Sequence, residues 1–295
     1  MARLFFVMTV LALLCGCDEK QPAQSNRNGV GPAGNPGTPP SNAVSGVPGG
    51  QLPAMLIPSP RSHQTIQEII FVEIPGGNFV MGAPPFEPGF HPNQKQRFVV
   101  IPQPYWMSQT EVTQTQFQRV MGRNPSATKG GNLPVTNVTW DEAREFAQRL
   151  TGLDPTFSFR LPTEEEWEYA CRAGSDLPFA PPHGRGTELQ EAIQKHTNGD
   201  PEFLTRYVHR FASIQQNAPQ PVSALLPNAW GLYDMHGNVW EWCADDGADP
   251  NLRPIRGGGW GTTDVFGCRA AVRDWAPCET CKDSFGFRIV AERRQ

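Results

Sequence analysis

The sequence predicts a mixed α+β domain with little regular secondary structure, and three observations support this class. Three segments begin with a capping box and continue with apolar residues at helical spacing. Five short runs are rich in the β-branched and aromatic residues that favour strands. The chain of 295 residues also contains 29 Gly and 30 Pro, and these two residue types favour turns and loops over long regular elements.

Each predicted helix starts at a Thr whose side chain can accept a hydrogen bond from the first turn, while a Gln or Glu three residues later reaches back to the Thr backbone. The pairs are Thr113 with Gln116, Thr139 with Glu142, and Thr163 with Glu166. Apolar side chains then recur every three or four residues, so they share the face that packs against the core. We assign these apolar stripes to the core and give them no catalytic role.

The predicted strands are short and lie towards the two ends of the domain. They cover residues 71–74, 78–81, 98–101, 270–273 and 287–291. No period of about 20 to 50 residues repeats along the chain, so a solenoid or a propeller is not expected.

The charge balance bears on possible partners. The formal net charge is −4, and Lys and Arg do not cluster in one segment. Nucleic-acid-binding domains carry a basic face, so no nucleic-acid partner is expected.

Residues 1–17 have the pattern of a bacterial lipoprotein signal peptide. Arg3 supplies the positive charge, an apolar run follows at 4–14, and the sequence Leu-Cys-Gly-Cys ends at Cys17. The apolar run is too short for a membrane-spanning helix, which needs about 20 residues. We therefore predict a lipid on Cys17 and a location in the bacterial cell envelope, facing the periplasm or the exterior. An ordinary secretory signal with two incidental Cys is the alternative.

Residues 18–65 are predicted to form a disordered tether. They are rich in Pro, Gly, Asn, Ser and Gln and nearly lack aromatic residues, so folding could not bury enough apolar surface to offset the lost chain entropy. A flexible chain of about 45 residues spans about 35 to 40 Å. The remaining residues, 66–295, are predicted to form one irregular domain held near a membrane surface.

The segment GLYDMHGNVWEW, residues 231–242, combines glycines, two Trp and alternating oxygen donors. Asp234 and Glu241 offer carboxylates, while Gly237 and Val239 offer backbone carbonyls. Hard oxygen ligands of this kind suit Ca²⁺, so these four residues are the predicted ligands of one structural calcium ion. A surface turn followed by a Trp-anchored strand explains the same pattern without a metal.

Six further segments occur in order around residues 231–242. They are FVEIPGGNFVMG (71–82), TEVTQTQF (110–117), PVTNVTWDEA (134–143), RLPTEEEWEYACRAG (160–174), RGGGW (256–260) and GFR (286–288). Together the seven segments resemble the formylglycine-generating enzyme family, also called sulfatase-modifying factors. The resemblance implies a C-type-lectin-like fold held by buried Trp and Arg side chains and by metal-bound loops. Members of this family bind Ca²⁺ through residues that match the four predicted ligands.

The active enzymes of this family oxidise a substrate Cys to formylglycine with O₂ and Cu(I), which two Cys bind just after a Gly-Gly-Ser-like turn. Here the turn is GGGW at residues 257–260, Gly259 replaces the Ser, and Thr262 stands where the first Cys is expected. A hydroxyl is a poor Cu(I) ligand, and Cys268 alone cannot form a two-thiolate site. The resemblance therefore implies a diverged member that does not use copper.

Two functions of different classes are compatible with this pattern. The first is a non-catalytic domain that uses a lectin-like groove to bind a protein, a peptide or a glycan. The alternative is an oxidoreductase of the same family that acts on a peptide or a small thiol through a relocated Cys site. Its candidate catalytic residues are Cys268, Cys278 and Cys281.

Four cysteines of the domain are candidates for disulfide bonds. The resemblance places a structural disulfide at Cys171, for which Cys268 is the predicted partner. Cys278 and Cys281 form a CxxC, which is either a local disulfide that stiffens a loop or a dithiol for redox chemistry or a soft metal.

Glu111 and Arg288 are predicted to be buried and paired, because an unpaired charge is costly inside a core. The His residues outside the signal and tether show no spacing typical of a metal site. They are His91, His183, His196, His209 and His236.

Overall fold

The structure is a computed structural model that describes residues 63–182, 185–244, 247 and 249–294. These residues belong to one compact unit. The predicted signal peptide, the lipid site Cys17 and nearly all of the predicted tether lie outside the described residues and remain predictions. Within the described residues, no helix combines the length and the apolar character needed to cross a bilayer.

Short strands form three sheets in the described part of the chain. The strands are β1 (His63–Ile66), β2 (Ile69–Ile74), β3 (Gly77–Met81), β4 (Arg97–Ile101), β5 (Tyr105–Ser108), β6 (Phe157–Arg160), β7 (Trp240–Trp242), β8 (Leu252–Arg256), β9 (Arg273–Pro277), β10 (Phe285–Gly286) and β11 (Val290–Arg293). The largest sheet has the order β1-β2-β5-β11-β6, the second has the order β10-β7-β8-β9, and β3 pairs with β4. All pairs are antiparallel except β7 with β10.

The α-helices lie between β5 and β7 in the chain. They are α1 (Gln114–Met121), α2 (Trp140–Leu153), α3 (Glu164–Arg172), α4 (Gly186–Thr197) and α5 (Pro201–Val208). All three predicted capping boxes are confirmed, because Thr113, Thr139 and Thr163 each accept a hydrogen bond from the backbone N–H three residues later. Helices α4 and α5 were not predicted from the sequence.

Most of the predicted strands are confirmed. The confirmed segments are 71–74, 78–81 and 98–101, which lie in β2, β3 and β4. The prediction at 270–273 is wrong, because Ala270 lies in a turn and the strand β9 starts only at Arg273.

Two element boundaries also differ from the prediction. In segment 287–291 only Val290 and Ala291 are strand, because the Phe287 carbonyl accepts a hydrogen bond from the N–H of Val112 and not from a neighbouring strand. The domain begins before residue 66, because His63–Ile66 pairs with β2. Residues assigned to the end of the tether therefore form an edge strand.

The buried apolar side chains form three groups, of which the third positions the candidate site. The first includes the rings of Phe117, Phe146 and Phe287, whose centroids lie 5.4 to 6.3 Å apart. The second surrounds Trp167 of α3. The third joins α4 and α5 to the 3-10 turn Val265–Cys268. The hairpin of α4 and α5 therefore packs on the segment that follows the Gly-rich turn.

Candidate functional site

The Gly-rich turn at residues 257–260 requires glycine for geometric reasons. Gly257 and Gly258 have φ values of 95° and 79°, and residues other than Gly adopt such backbone conformations only at a cost in free energy. A Cβ atom on Gly259 would lie 3.1 Å from the Trp240 ring. The Trp240 ring therefore occupies the space that a Ser side chain at position 259 would enter.

The turn is joined to the predicted calcium segment by backbone hydrogen bonds. The N–H of Gly237 donates to the Gly257 carbonyl at 2.8 Å, and the N–H of Trp260 donates to the Asn238 carbonyl at 2.6 Å. The two segments that the sequence analysis singled out thus form one continuous structure.

Thr262 closes this turn through its hydroxyl group. Its Oγ1 accepts a hydrogen bond from the N–H of Gly259 at 3.1 Å, and its own N–H donates to the Gly259 carbonyl at 2.9 Å. The Thr262 carbonyl accepts from the N–H of Gln215 at 3.0 Å. The residue that stands in place of a family Cys therefore has a structural role in the turn.

Cys268 is buried and poorly suited to sulfur chemistry. Its Sγ points back to the Val265 carbonyl at 3.3 Å, and burial raises its thiol pKa to about 12. Since the thiolate is the reactive and metal-binding form, this thiol is almost entirely inactive near neutral pH. Copper does not fit here, because neither Thr262 nor Cys268 supplies an available thiolate.

The predicted disulfide between Cys171 and Cys268 is wrong, because both residues are free thiols. His236 contacts both of them: its Nε2 lies 3.7 Å from the Cys171 Sγ, and its Nδ1 donates to the Cys268 carbonyl at 2.7 Å. Cys268 ends a 3-10 turn and is not on a strand facing Cys171. Cys171 is a fully buried core residue, and burial raises the pKa of its thiol.

Cys278 and Cys281 are the accessible thiols among the five described cysteines. Cys278 is half-buried, Cys281 is exposed, and both are free. They lie on the turn after β9, in which the N–H of Thr280 donates to the Pro277 carbonyl at 2.9 Å. The indole N–H of Trp260 donates to the Asp283 carbonyl at 3.2 Å. The CxxC loop therefore leads directly into the residues that border the Gly-rich turn.

A cavity of about 610 Å³ lies between α5 and Gln215. It is lined by Pro201, Glu202, Thr205, Arg206, His209 and Gln215. Gln215 connects the cavity to the turn: its side chain donates to the Thr263 carbonyl at 2.8 Å and lies 3.1 Å from the His209 Nε2. Gln215 also has a positive φ of 56°, and such strained positions in non-Gly residues concentrate at functional sites.

This cavity was not predicted from the sequence, because its wall α5 was not predicted. A signal was present, since Asp200 caps the helix through a hydrogen bond from the Phe203 N–H and Pro201 occupies the first turn. Asp followed by Pro is a helix-start pattern. Of the other histidines, His196 packs against the Phe266 ring at 5.1 Å, His91 caps a 3-10 turn, and His183 lies outside the described residues.

Glu241 is fully buried and is held by Arg288 and Trp167. Arg288 donates from Nε to Oε2 at 2.7 Å and from Nη2 to Oε1 at 2.8 Å. The Trp167 indole donates to Oε2 at 2.7 Å. Arg288 is thus a buried and paired anchor, as predicted, and a cation at Glu241 would compete with three N–H donors.

Asp234 and Glu111 are buried carboxyl groups with few donors around them. The Asp234 Oδ2 accepts from the N–H of Ser223 at 2.7 Å, and burial raises the pKa of Asp234 to about 6. Within the described residues, neither oxygen of Glu111 has a hydrogen-bond partner. Burial, followed by the charges of Asp234 and Glu241, raises the pKa of Glu111 well above its usual value. Glu111 is buried as predicted, but its predicted pairing with a cationic group is not found there.

The predicted calcium ligands fit a cation in part. Asp234 and Gly237 have positive φ values of 59° and 96°, as does Asn238 with 59°, so the segment is tightly wound. Val239 is fully buried. Among the described residues, no three or more His, Cys, Asp or Glu side chains group to hold a metal ion. A cation here would need backbone oxygens as well as carboxylates.

The fold and the site together point to one family. Residues 57–293 match the family described as sulfatase-modifying factor enzyme 1-like domain. The chain belongs to this family, which confirms both the resemblance and the predicted α+β fold.

Several relatives with known names match part of the chain. The formylglycine-generating enzyme of Thermomonospora curvata is 35% identical over 150 residues, which are 50% of this chain and 44% of that protein. The inactive C-alpha-formylglycine-generating enzyme 2 of Bos taurus is 32% identical over 186 residues, which are 59% of this chain and 57% of that protein. The chain therefore spans about half the length of these two relatives.

One further relative and one solved structure match more of their own length. The chaperone protein LppX of Paenibacillus barcinonensis is 28% identical over 193 residues, which are 53% of this chain and 69% of that protein. The structure of PvdO from Pseudomonas aeruginosa superposes with a TM-score of 0.65 at 26% identity, covering 80% of this chain and 99% of that chain.

Proposed function

We propose that this protein is a binding domain of the sulfatase-modifying factor family that has lost copper-dependent formylglycine generation. In this proposal a lipid on Cys17 anchors it in the cell envelope, and the domain faces the periplasm or the exterior. The observation that carries the proposal is the role of Thr262, whose hydroxyl accepts a hydrogen bond from the Gly259 N–H and closes the turn.

The thiols near this turn support the loss of activity. Cys268 has its Sγ directed at the Val265 carbonyl and is covered by the hairpin of α4 and α5. Two thiolates are needed for linear Cu(I) ligation, and the chain provides neither at this place. Similarity to a relative named as inactive is consistent with the same conclusion.

The cavity between α5 and Gln215 is the proposed ligand site. Its volume of about 610 Å³ lies in the range of small-ligand pockets. Its walls carry a guanidinium, a carboxylate, an imidazole, an amide and a hydroxyl, and the Arg206 guanidinium is paired with the Glu202 carboxylate at 3.3 Å. These groups can hydrogen-bond the polar atoms of a peptide or a sugar. A ligand of the peptide, protein or glycan class fits this chemistry, and similarity to a protein named as a chaperone favours a peptide or protein.

Catalytic activity is tested by adding Cu(I) to the purified full chain under reducing conditions and incubating it with O₂ and a sulfatase-type peptide that contains Cys. Mass spectrometry then follows conversion of Cys to formylglycine, with the Thermomonospora curvata enzyme as the positive control. We expect an unchanged peptide mass and no tight copper binding. Turnover by the full chain would refute the proposal.

The alternative, an oxidoreductase with a relocated Cys site, is favoured by one observation: Cys278 and Cys281 are accessible thiols on the same loop. The double variant C278S/C281S distinguishes the two functions. If wild type oxidises a peptide or a small thiol and this variant does not, then the CxxC is the catalytic site. If neither protein shows activity, the binding function stands.

Ligand binding is tested with peptide and glycan libraries on immobilised full chain. The variant R206A/H209A removes the cation and the imidazole from the cavity, and R149A removes an exposed Arg of α2 as the matched control. We expect binding that R149A preserves and R206A/H209A weakens. Equal binding by both variants would place the ligand site elsewhere.

A further inference from the structure

The outward face of the two-stranded sheet formed by β3 and β4 is apolar. The inner face packs against α3, where the ring centroids of Phe79 and Tyr169 lie 5.3 Å apart. The outward face carries Val80, Phe98 and Val100, whose exposed fractions are 48%, 58% and 59%. Val80 lies directly opposite Phe98 in the register, and Val100 shares the face of Phe98 because side chains alternate along a strand. Exposed apolar side chains that adjoin one another mark interaction surfaces, so this face is a candidate for contact with a partner.

Strand β4 also offers a backbone edge to a partner. Among the strands of the described residues, only β3 pairs with β4, so every second residue of β4 directs its N–H and C=O groups away from β3. The segment Arg97–Ile101 is rich in β-branched and aromatic residues and contains no Pro, which suits it to strand pairing. An edge of this kind is a template on which an extended segment of another chain can form a further strand.

A cavity of about 410 Å³ lies along β4, and its charged lining is mainly acidic. The charged residues that line it are Arg160, Glu165, Glu166 and Glu292. Arg160 pairs with both Glu166 and Glu292, and Arg97 of β4 pairs with Glu165. Three carboxylates are therefore set against two guanidinium groups, and the side chains of Glu165 and Glu292 are 34% and 46% exposed. A partner that enters this cavity is favoured by a positive charge.

We propose that β4 is the docking strand for an extended segment of a partner protein in which apolar residues alternate with Lys or Arg. The apolar side chains of this segment extend the surface formed by Val80, Phe98 and Val100. Its basic side chains point to the opposite face and reach the acidic cavity that α3 borders.

The charge of the cavity decides between possible occupants. An acidic segment is disfavoured by the three carboxylates. A second copy of this chain is disfavoured as well, because its β4 strand carries one cation, Arg97, which already pairs with Glu165. The surface shares no lining residue with the cavity between α5 and Gln215, so the proposal is independent of ligand binding there.

The test measures, by fluorescence anisotropy, binding of the purified full chain to a labelled peptide of about seven residues in which Val and Lys alternate. One control peptide alternates Val with Glu. The other is the Val–Lys peptide methylated on all backbone nitrogens, so that it cannot donate hydrogen bonds to a strand edge. We expect the full chain to bind the Val–Lys peptide at least about tenfold more tightly than either control. Added salt should weaken this binding, because the attraction is partly electrostatic.

Variants of the chain locate the contact. F98T/V100T removes two exposed apolar side chains and keeps residues that favour strands, and E165Q/E292Q removes two carboxylates of the cavity. Each double variant is expected to bind the Val–Lys peptide at least about tenfold more weakly than wild type. The matched controls are L153T and E145Q, which change an exposed apolar residue and an exposed carboxylate of α2. Both should keep the affinity of wild type.

Three results would overturn the proposal: no binding of the Val–Lys peptide to wild type, equal binding of the Val–Glu peptide, or an affinity of F98T/V100T within about twofold of wild type. Loss of binding in R206A/H209A would place the peptide in the cavity beside α5 and would also overturn it. Retained binding in that variant supports the β4 surface whether or not the cavity holds a ligand. Self-association of the full chain that F98T/V100T abolishes, without binding of the peptide, would assign β4 to a second copy and refute the proposed partner.

Discussion

The guanidinium of Arg288 and the carboxylate of Glu241 form a doubly hydrogen-bonded ion pair in which neither side chain is exposed to solvent. Arg288 also donates to the Tyr233 carbonyl at 2.9 Å and to the Ser108 carbonyl at 3.2 Å. One side chain therefore fixes the segment 231–242, β5 and the C-terminal segment relative to each other.

Replacing Arg288 is expected to destabilise the domain strongly. The variant R288M keeps the apolar stem and leaves the Glu241 carboxylate buried without its cation, which costs about 3 to 5 kcal/mol. The free energy of unfolding, measured by chemical denaturation, checks this value. The control is R149M, because the Arg149–Glu145 pair on α2 is half-exposed and its loss should cost less than about 1 kcal/mol. Equal losses in the two variants would show that the buried pair does not hold the core.

Thr262 is expected to contribute through its hydroxyl. In T262V the side chain keeps its shape, but the Gly259 N–H loses its acceptor, so the free energy of unfolding should fall by about 1 kcal/mol. T262S keeps the hydroxyl and should be less affected than T262V. If T262V is as stable as T262S, the hydroxyl does not close the turn.

The sequence was most informative where the deciding interactions are local. Thr113 and Gln116 are three residues apart, so the capping box that starts α1 is visible in the sequence, and the structure contains it. The seven ordered segments likewise identified the family. The Asp200-Pro201 start of α5 is equally local and is visible in the sequence.

The distant interactions could not be read in the same way. Arg288 and Glu241 are separated by 47 positions, and no spacing rule connects them. Position 241 supplies a carboxylate whether it binds a metal or an Arg, so the sequence could not predict the ion pair with Arg288, and the calcium ligand at this position remains a prediction. The disulfide prediction failed for the same reason, because His236 lies 32 positions from Cys268 and nothing local places its ring there.

His236 is expected to make the stability depend on pH. Its Nδ1 donates to the Cys268 carbonyl and its Nε2 accepts from the Ala180 N–H at 3.0 Å, so the neutral ring fits the site. Burial lowers its pKa from 6.5 to about 4. The unfolded chain therefore binds more protons between these values, and stability should be complete above about pH 6.5 and fall as the pH decreases towards 4.

The shift in the pKa of His236 sets the size of this pH effect. It limits the contribution of His236 to the free energy of unfolding to about 3 kcal/mol. The check is the free energy of unfolding of wild type and H236N between pH 4 and 7. H236N keeps a donor for the Cys268 carbonyl, but its smaller side chain leaves buried space empty, so it should be less stable at pH 7. Because Asn does not titrate, the stability of H236N should also depend less steeply on pH. Identical slopes would assign the pH dependence to other groups.

The five described cysteines are expected to differ in reactivity because their accessibility differs. Cys278 and Cys281 lie on a surface loop, whereas Cys171, Cys243 and Cys268 are buried, and burial raises the thiol pKa of all three buried residues. Treatment of the native full chain with a maleimide should modify Cys278 and Cys281 first, since the thiolate is the reactive form. The other three should react only after unfolding in denaturant. Peptide mapping by mass spectrometry without reductant locates the modified residues, and recovery of Cys171 linked to Cys268 would contradict the structure.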